Sequence, residues 1–399
     1  MSAPSVRWLP VFGLGILHSA ITLCWVFYNL YLPQLLGAFG FAASAVAMLL
    51  VVEGLLGAVL EPVMGALSDR TRRNILTRFS LIAAGVIGAS LLFVGIPLFS
   101  LSGSTALRWV LPVLLVAWAL AMTVFRSPAL ALLGQYAAPA SLPLAAGVLG
   151  TLGSLAAASG PATRAYWLSL GPLATFTVGS LALLAGLLVL RWLDNRLPLE
   201  MLPTTGPSQS SMPLWLLFVT GLGVTFGFRL LLDGLSRHLT LTGAEPPGGL
   251  IPVLFAATAL ASLPCGALAM RLSGNWLMIL GLLAMATFSG LSASITSPTA
   301  SLGVALALGL AFSFVNNGLF PFALDHVAPE RAGLALGLYF GGTALAICLF
   351  NAAGPFWKTV APASCLLFAL LSFLFAAACV AAASLLSFLT ERSFASQRT

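Results

Sequence analysis

Apolar residues run along this chain in long blocks, and short stretches of charge or turn residues separate each block from the next. At about 1.5 Å of rise per residue, a helix needs ~20 apolar residues to cross a hydrocarbon core of about 30 Å. Twelve segments meet that length: 10–36, 42–67, 76–99, 109–134, 144–164, 172–193, 213–237, 250–271, 275–296, 302–325, 332–355 and 363–389. The breaks between them, such as SDRTRRN, SLSGSTALR, RAYWLSLGP, TGAEPPGG and WKTVAPA, carry turn chemistry or charge. The longest break, RWLDNRLPLEMLPTTGPSQSSM, lies midway and divides six helices from six. The pattern predicts an all-α membrane protein: residues 1–193 as one six-helix bundle, 194–212 as a cytoplasmic linker, and 213–399 as a second bundle.

Composition sharpens this picture. The chain is 60% hydrophobic and 7% charged, whereas a soluble domain carries about 25% charged residues. Lipid must therefore be its main solvent. The balance is basic, +7, but the arginines are dispersed between apolar runs and read as a topology signal, with no nucleic acid as partner. Cys24, Cys265, Cys348, Cys365 and Cys379 all fall in apolar runs without a CxxC, so they read as small buried hydrophobes. The first apolar run, from about Leu9 to Leu36, is too long for a signal-peptide core and reads as a retained membrane helix.

Charge sets the expected sidedness. With a cytoplasmic N-terminus, the inner connections and ends hold Arg7, Arg70, Arg72, Arg73, Arg78, Arg191, Arg196, Arg271, Arg331, Arg392 and Arg398. The outer ones hold Arg108, Arg164, Arg237 and Lys358. Eleven against four is a positive-inside bias that puts both termini in the cytoplasm. The halves also echo each other. GALSDRTRRN at 65–74 recurs as GALAMRLSGN at 266–275, and GQYAAPASLPLAAG at 134–147 as LDHVAPERAGLALG at 324–337. Two echoes in equivalent places argue for a duplicated six-helix unit.

The stretch EPVMGALSDRTRRN, residues 61–74, carries the strongest motif. Gly65-x-x-x-Asp69-Arg70-x-x-Arg73, between the second and third of twelve helices, resembles motif A of the major facilitator superfamily, although Thr71 and Arg72 stand where a second glycine is usual. Glu61-Pro62-Val63-Met64-Gly65 resembles the acid-Pro-x-x-Gly signature of the glycoside–pentoside–hexuronide symporters. Arg126-Ser127-Pro128 followed by Ala131-Leu132-Leu133 resembles a stretch late in the fourth helix of sucrose–proton symporters. The chain departs from those relatives at Gln135, where an aspartate is usual, and lacks the arginine expected in the following loop. The superfamily resemblance implies twelve helices in two pseudo-symmetric bundles that rock about a midplane site. It also implies that Asp69 meets the N-terminus of the eleventh helix, where an anion is favourable, and that Asp69, Arg70 and Arg73 form a cytoplasmic latch between the halves. The alternative is that these charges only anchor topology.

Ionisable groups at membrane depth are expensive and therefore default to functional candidates. His18, Thr22, Trp25 and Asn29 share one face of the first helix. They are expected to line a central cavity, supplying stacking and hydrogen bonds to substrate, or else to serve interhelical packing. Glu53 falls near the midplane with no obvious partner except His18. Glu61 and Arg126 lie deeper, at similar depths, and could pair. Glu53 ranks ahead of Glu61 as the proton carrier. Arg229, Asp233 and Arg237 follow at i+4 steps on the seventh helix; Asp233 can bond to either arginine, giving an outer gate or a local ion-pair ladder. Asn316 matches Arg126 in the repeat, and Asn316 and Asn317 could bind substrate hydroxyls or join helices. Tyr339 and Thr343 share a face of the eleventh helix, while Asp325 and His326 should face water. Glycine and alanine runs in the fifth and eleventh helices suit close contact between the halves.

No P-loop, HExxH, zinc spacing or Ser-His-Asp constellation is present in the sequence, which speaks against an enzyme, a cofactor or a metal site. The expectation is a transporter, acting as a monomer in a bacterial inner membrane. Its partners would be a small polar solute such as a sugar or glycoside, a proton or sodium ion as the coupling ion, and the lipid bilayer. The rivals are efflux of an amphipathic compound and a non-transporting assembly scaffold on the same fold.

Overall fold

The computed structural model describes residues 6–70, 75–101, 107–195, 212–246, 248–272, 274–324 and 327–396. Arg72, Arg73, most of the 194–212 linker, Asp325 and His326 lie outside the described residues. Among the described residues, twelve helices are long and apolar enough to cross a membrane. They are α1 (Trp8–Ala38), α2 (Ser44–Arg70), α3 (Ile75–Leu101), α4 (Val110–Leu130), α5 (Leu142–Ala162) and α6 (Arg164–Asn195) in the first half. The second half has α7 (Trp215–Thr242), α8 (Leu250–Ala269), α9 (Gly274–Leu291), α10 (Pro298–Leu324), α11 (Ala332–Ala352) and α12 (Pro362–Ser396). Single turns at Leu133–Tyr136 and Gly354–Thr359 join α4 to α5 and α11 to α12.

The sequence boundaries hold to within a few residues except at the start of α6 and at the ends of α7 and α12, which run on to Thr242 and Ser396. RAYWLSLGP reads as a break, yet Arg164–Leu170 is already helical. The interruption is Gly171 alone, at φ 77° and ψ 166°, a conformation open to glycine and followed by Pro172 as the first residue of the spanning segment. A proline is tolerated inside a membrane helix where neighbouring groups meet the carbonyl it frees. Pro62 cannot donate to the Ala58 carbonyl, and that carbonyl lies 2.9 Å from where a Cβ would stand on Gly341 of α11. A side chain there would not fit, so the acid-Pro-x-x-Gly pattern of α2 and a glycine of α11 form one packing unit.

The duplication is visible in the packing. In the first half α1 packs on α5 and α6, α3 on α4 and α6, and α2 on α4. In the second half α7 packs on α11 and α12, α9 on α10 and α12, and α8 on α10. Adding six to each first-half number gives the second-half list. The architecture is two pseudo-symmetric six-helix bundles, all-α in class. Their contacts with each other obey the same symmetry: α2 packs on α11 as α8 packs on α5, with lighter contacts between α4 and α11 and between α10 and α5. Aromatic rings fill the first bundle. Tyr28 and Phe93 both stack on Trp118, at 4.5 and 4.7 Å between centroids, and Phe93 stacks on Phe176 at 4.2 Å. Large apolar side chains such as Leu91, Leu188, Leu260 and Leu371 are exposed on the outside, as expected for a surface solvated by lipid.

Candidate functional site

Two seams hold the halves together, and glycine makes both. On α11, Gly333, Gly337 and Gly341 recur every four residues and lie on one face. A Cβ on each would strike the backbone of α2, at Gly65, Glu61 and Ala58 in turn. On α5, Gly147 faces the Ser262 carbonyl of α8, while Gly266 of α8 faces Pro143. The Thr151 hydroxyl also bonds to the Ala259 carbonyl across this seam, at 3.2 Å.

At one end of the α2–α11 seam the Asp69 carboxylate accepts two backbone amides, Gly333 N–H on Oδ1 and Leu334 N–H on Oδ2, each at 2.8 Å. Helix α11 begins at Ala332, so these are unpaired amides of its first turn, where the helix dipole favours an anion. The acid thus ties one half to the other. Arg70 is exposed beside it.

About 24 Å along α2 from Asp69, at 1.5 Å per residue, a cavity of about 190 Å³ lies between the halves. The first half contributes Trp25, Asn29, Glu53, Thr123 and Arg126 to its wall. The second contributes Arg229 and Thr343. Asn29 and Arg229 are exposed although they sit well inside their helices, so water reaches this cavity. The Tyr28 hydroxyl donates to Glu53 Oε1. Tyr28 is itself fully buried against Trp118, which fixes the carboxylate at the cavity edge.

Below the cavity, toward the Asp69 end, Glu61 is fully buried. Its Oε1 accepts from the Arg126 guanidinium and its Oε2 from the Ser127 hydroxyl. The guanidinium carbon of Arg126 also lies 4.8 Å from the centre of the Phe340 ring of α11, a cation–π contact that reaches into the other half. Both charges of this pair are therefore committed. The second half repeats the node without charge: Asn317 of α10 donates its amide to the Ser262 carbonyl of α8, at 2.6 Å.

The structure sorts the sequence candidates. Trp25 and Asn29 reach the cavity, but His18 and Thr22, on the same stripe, pack against α5 at Gly153. The partner of Glu53 is Tyr28 rather than His18. Glu61 and Arg126 do pair. Among the described residues Asp233 bonds to Arg237 alone, Nε to Oδ2 at 3.0 Å, and Arg237 also caps the Val360 carbonyl at 3.0 Å. Arg229 is thus no rung of a ladder; it lies midway along α7 and faces the cavity. Asn317 is fully buried between helices, and neither it nor Asn316 lines the cavity. Tyr339 is buried with its backbone against Gly221 of α7, while Thr343, one turn on, does line the cavity. Tyr28, Thr123 and Ser127 escape a sequence reading. Tyr28 lies off the polar stripe and looks like one more core aromatic, and the two hydroxyls sit in a helix whose obvious signal is Arg126. Among the described residues no group of three or more His, Cys, Asp or Glu could hold a metal ion.

The family model described as Major Facilitator Superfamily matches residues 14–351. Among solved structures, a bacterial homologue of the iron transporter ferroportin, in an outward-facing state, is similar at a TM-score of 0.69 and 16% identity, with 94% of this chain and 99% of that chain covered. The human organic anion transporter MFSD10 is similar at 0.65 and 19% identity, covering 94% and 99%. The fucose:proton symporter FucP of E. coli is similar at 0.65 and 13% identity, covering 94% and 98%. No curated protein matches the chain.

Proposed function

Because this chain belongs to the major facilitator superfamily, whose members are transporters, we propose that it is a proton-coupled symporter that moves a small polar solute through the cavity by alternating access. The observation that carries this reading is the placement of Glu53 and Arg229, one from each bundle, facing a single water-reached chamber at membrane depth. Ionisable groups so placed are expensive unless they work. Glu53 is the proposed proton carrier: protonation removes its charge and lets the chamber lose its water as the halves close. Trp25, Asn29, Thr123 and Thr343 supply a ring face and hydrogen-bonding groups to the solute.

In this reading both termini are cytoplasmic, in keeping with the arginine bias, and the chain works as a monomer in a bacterial inner membrane. The Asp69 end is then the cytoplasmic gate, fastened shut, and the chamber opens outward. The Asp69–Gly333 contact and the two glycine seams support that assignment.

The test is uptake by proteoliposomes holding the purified chain, across a panel of labelled solutes, with and without an acidic exterior. Wild type should accumulate a solute against its gradient. Glu53→Gln should lose accumulation yet still exchange labelled for unlabelled solute. Equilibration indifferent to the pH gradient in wild type would sink the coupling, and dependence on sodium instead would reassign the ion. A chain that moves nothing and holds a stable protein partner through purification would favour a scaffold.

A further inference from the structure

Arg229 is an arginine inside a membrane bundle for which no described residue supplies a partner. It has neither ion pair nor hydrogen bond among the described residues, and its side chain stands exposed in the central cavity. The nearest acid along α7, Asp233, has its Oδ2 taken by Arg237 at 2.7 Å. Glu61 is taken by Arg126 and Ser127. Among the described residues the carboxylate on the cavity wall is Glu53, already bonded to Tyr28. Water can solvate an isolated guanidinium while the chamber is open. When the halves close and water leaves, the same charge becomes very costly unless an anion meets it. A guanidinium presents a planar fork of donors that matches a carboxylate in two parallel bonds.

We propose, resting on the transport reading above, that Arg229 anchors the substrate and that the substrate is a small organic carboxylate. The cavity of about 190 Å³ has room for a small organic acid. Asn29, Thr123 and Thr343 face its hydroxyls.

The charges on the wall close on this assignment. Arg126, on the wall, is balanced by Glu61 beneath it. In the empty carrier, ionised Glu53 balances Arg229. In the loaded carrier, Glu53 holds the proton and the carboxylate balances Arg229. The chamber is neutral both times, so it can occlude both full and empty, and the exchange carries one proton with one monoanion. Uptake is therefore driven by the pH gradient and insensitive to membrane potential.

The test uses the purified full chain in lipid nanodiscs with L-lactate, D-gluconate and D-glucuronate, each beside its uncharged amide. Binding is read by calorimetry and by the shift in thermal unfolding. At least one carboxylate should bind wild type, Arg229→Lys should keep some of that binding, and Arg229→Gln should weaken it about tenfold or more, with the amides inert. Equal binding of an amide, or no binding by any of the three acids, overturns the proposal. The bound acid is then given to proteoliposomes under a pH gradient or a potassium diffusion potential. Uptake that follows the potential overturns the charge balance. Glu53-dependent, pH-driven uptake of an uncharged sugar would overturn the carboxylate and leave proton symport standing. Carboxylate uptake through Arg229 that ignores pH would do the reverse.

Discussion

Gly65 and Gly333 meet backbone to backbone where α2 crosses α11, so that a Cβ on either would run into the carbonyl of the other. The contact sits beside the Asp69 bonds to Gly333 and Leu334, so steric fit and hydrogen bonding fasten the same point. Gly65→Ala should force the helices apart there, at about 1–3 kcal/mol, and shift the carrier away from the closed form of this end. Gly88→Ala on α3 is the matched control, because nothing lies within 4 Å of its Cβ position; it should be neutral or stabilise by up to ~1 kcal/mol. Spin labels on the exposed Leu67 and Leu272 read the distance between the halves. An unchanged distance distribution in Gly65→Ala would contradict this account.

Asp69→Asn tests the same end by chemistry. The carboxylate offers an oxygen to each of two amides, whereas an asparagine side chain offers one oxygen and turns a donor toward the other amide. The loss should be about 1–3 kcal/mol and should appear as a larger open population in the same distance measurement. Asp69→Glu keeps the charge but lengthens the arm, so partial recovery is expected. If both variants match wild type, the bonds to α11 do not set the equilibrium between conformations.

Twelve spans and their duplication were legible in the sequence because lipid imposes length and apolarity on every helix alike. The Asp69 contact was legible through the resemblance of its motif, and the glycine runs of α5 and α11 foretold small-residue faces at the seams. The cavity was only partly legible. A helical repeat puts His18 and Asn29 on one stripe, but the stripe spans more than one neighbour: α5 covers its turns near His18, while Trp25 and Asn29 reach the gap between bundles. Asp233 could bond to Arg229 or to Arg237, because i+4 spacing permits both pairs. Sequence could not show that Arg237, held by the Val360 carbonyl, is the one that takes Asp233.

The buried Glu61–Arg126 pair predicts an asymmetry. Arg126→Met leaves a carboxylate in the core with only Ser127 to answer it, a loss of roughly 3–5 kcal/mol. The double change Glu61→Gln with Arg126→Met removes both charges and should recover most of that loss, since the two residues touch and their effects are not additive. Thermal unfolding in detergent of the two single variants and the double variant measures the coupling. Simple additivity would mean that the pair does not act as a unit.

Asn317 and Asn316 are neighbours in sequence with opposite surroundings, and this separates stability from transport in the second half. Asn317 is fully buried and donates to the Ser262 carbonyl at 2.6 Å, on the seam where Gly147 of the first half presses on that same carbonyl. Asn317→Ala removes the donor and leaves a carbonyl short of a partner inside the bundle. Interhelical bonds of this kind are worth about 0.6 kcal/mol, and up to ~1.7 in bilayers, so a measurable fall in unfolding midpoint is expected. Asn316→Ala, at a half-buried position, should move the midpoint much less. Neither side chain lines the cavity, so solute affinity should stay within about twofold in both, well under the tenfold that about 1.4 kcal/mol would bring. A large loss of affinity in Asn316→Ala, with stability intact, would place α10 in the binding site after all and redraw the chamber.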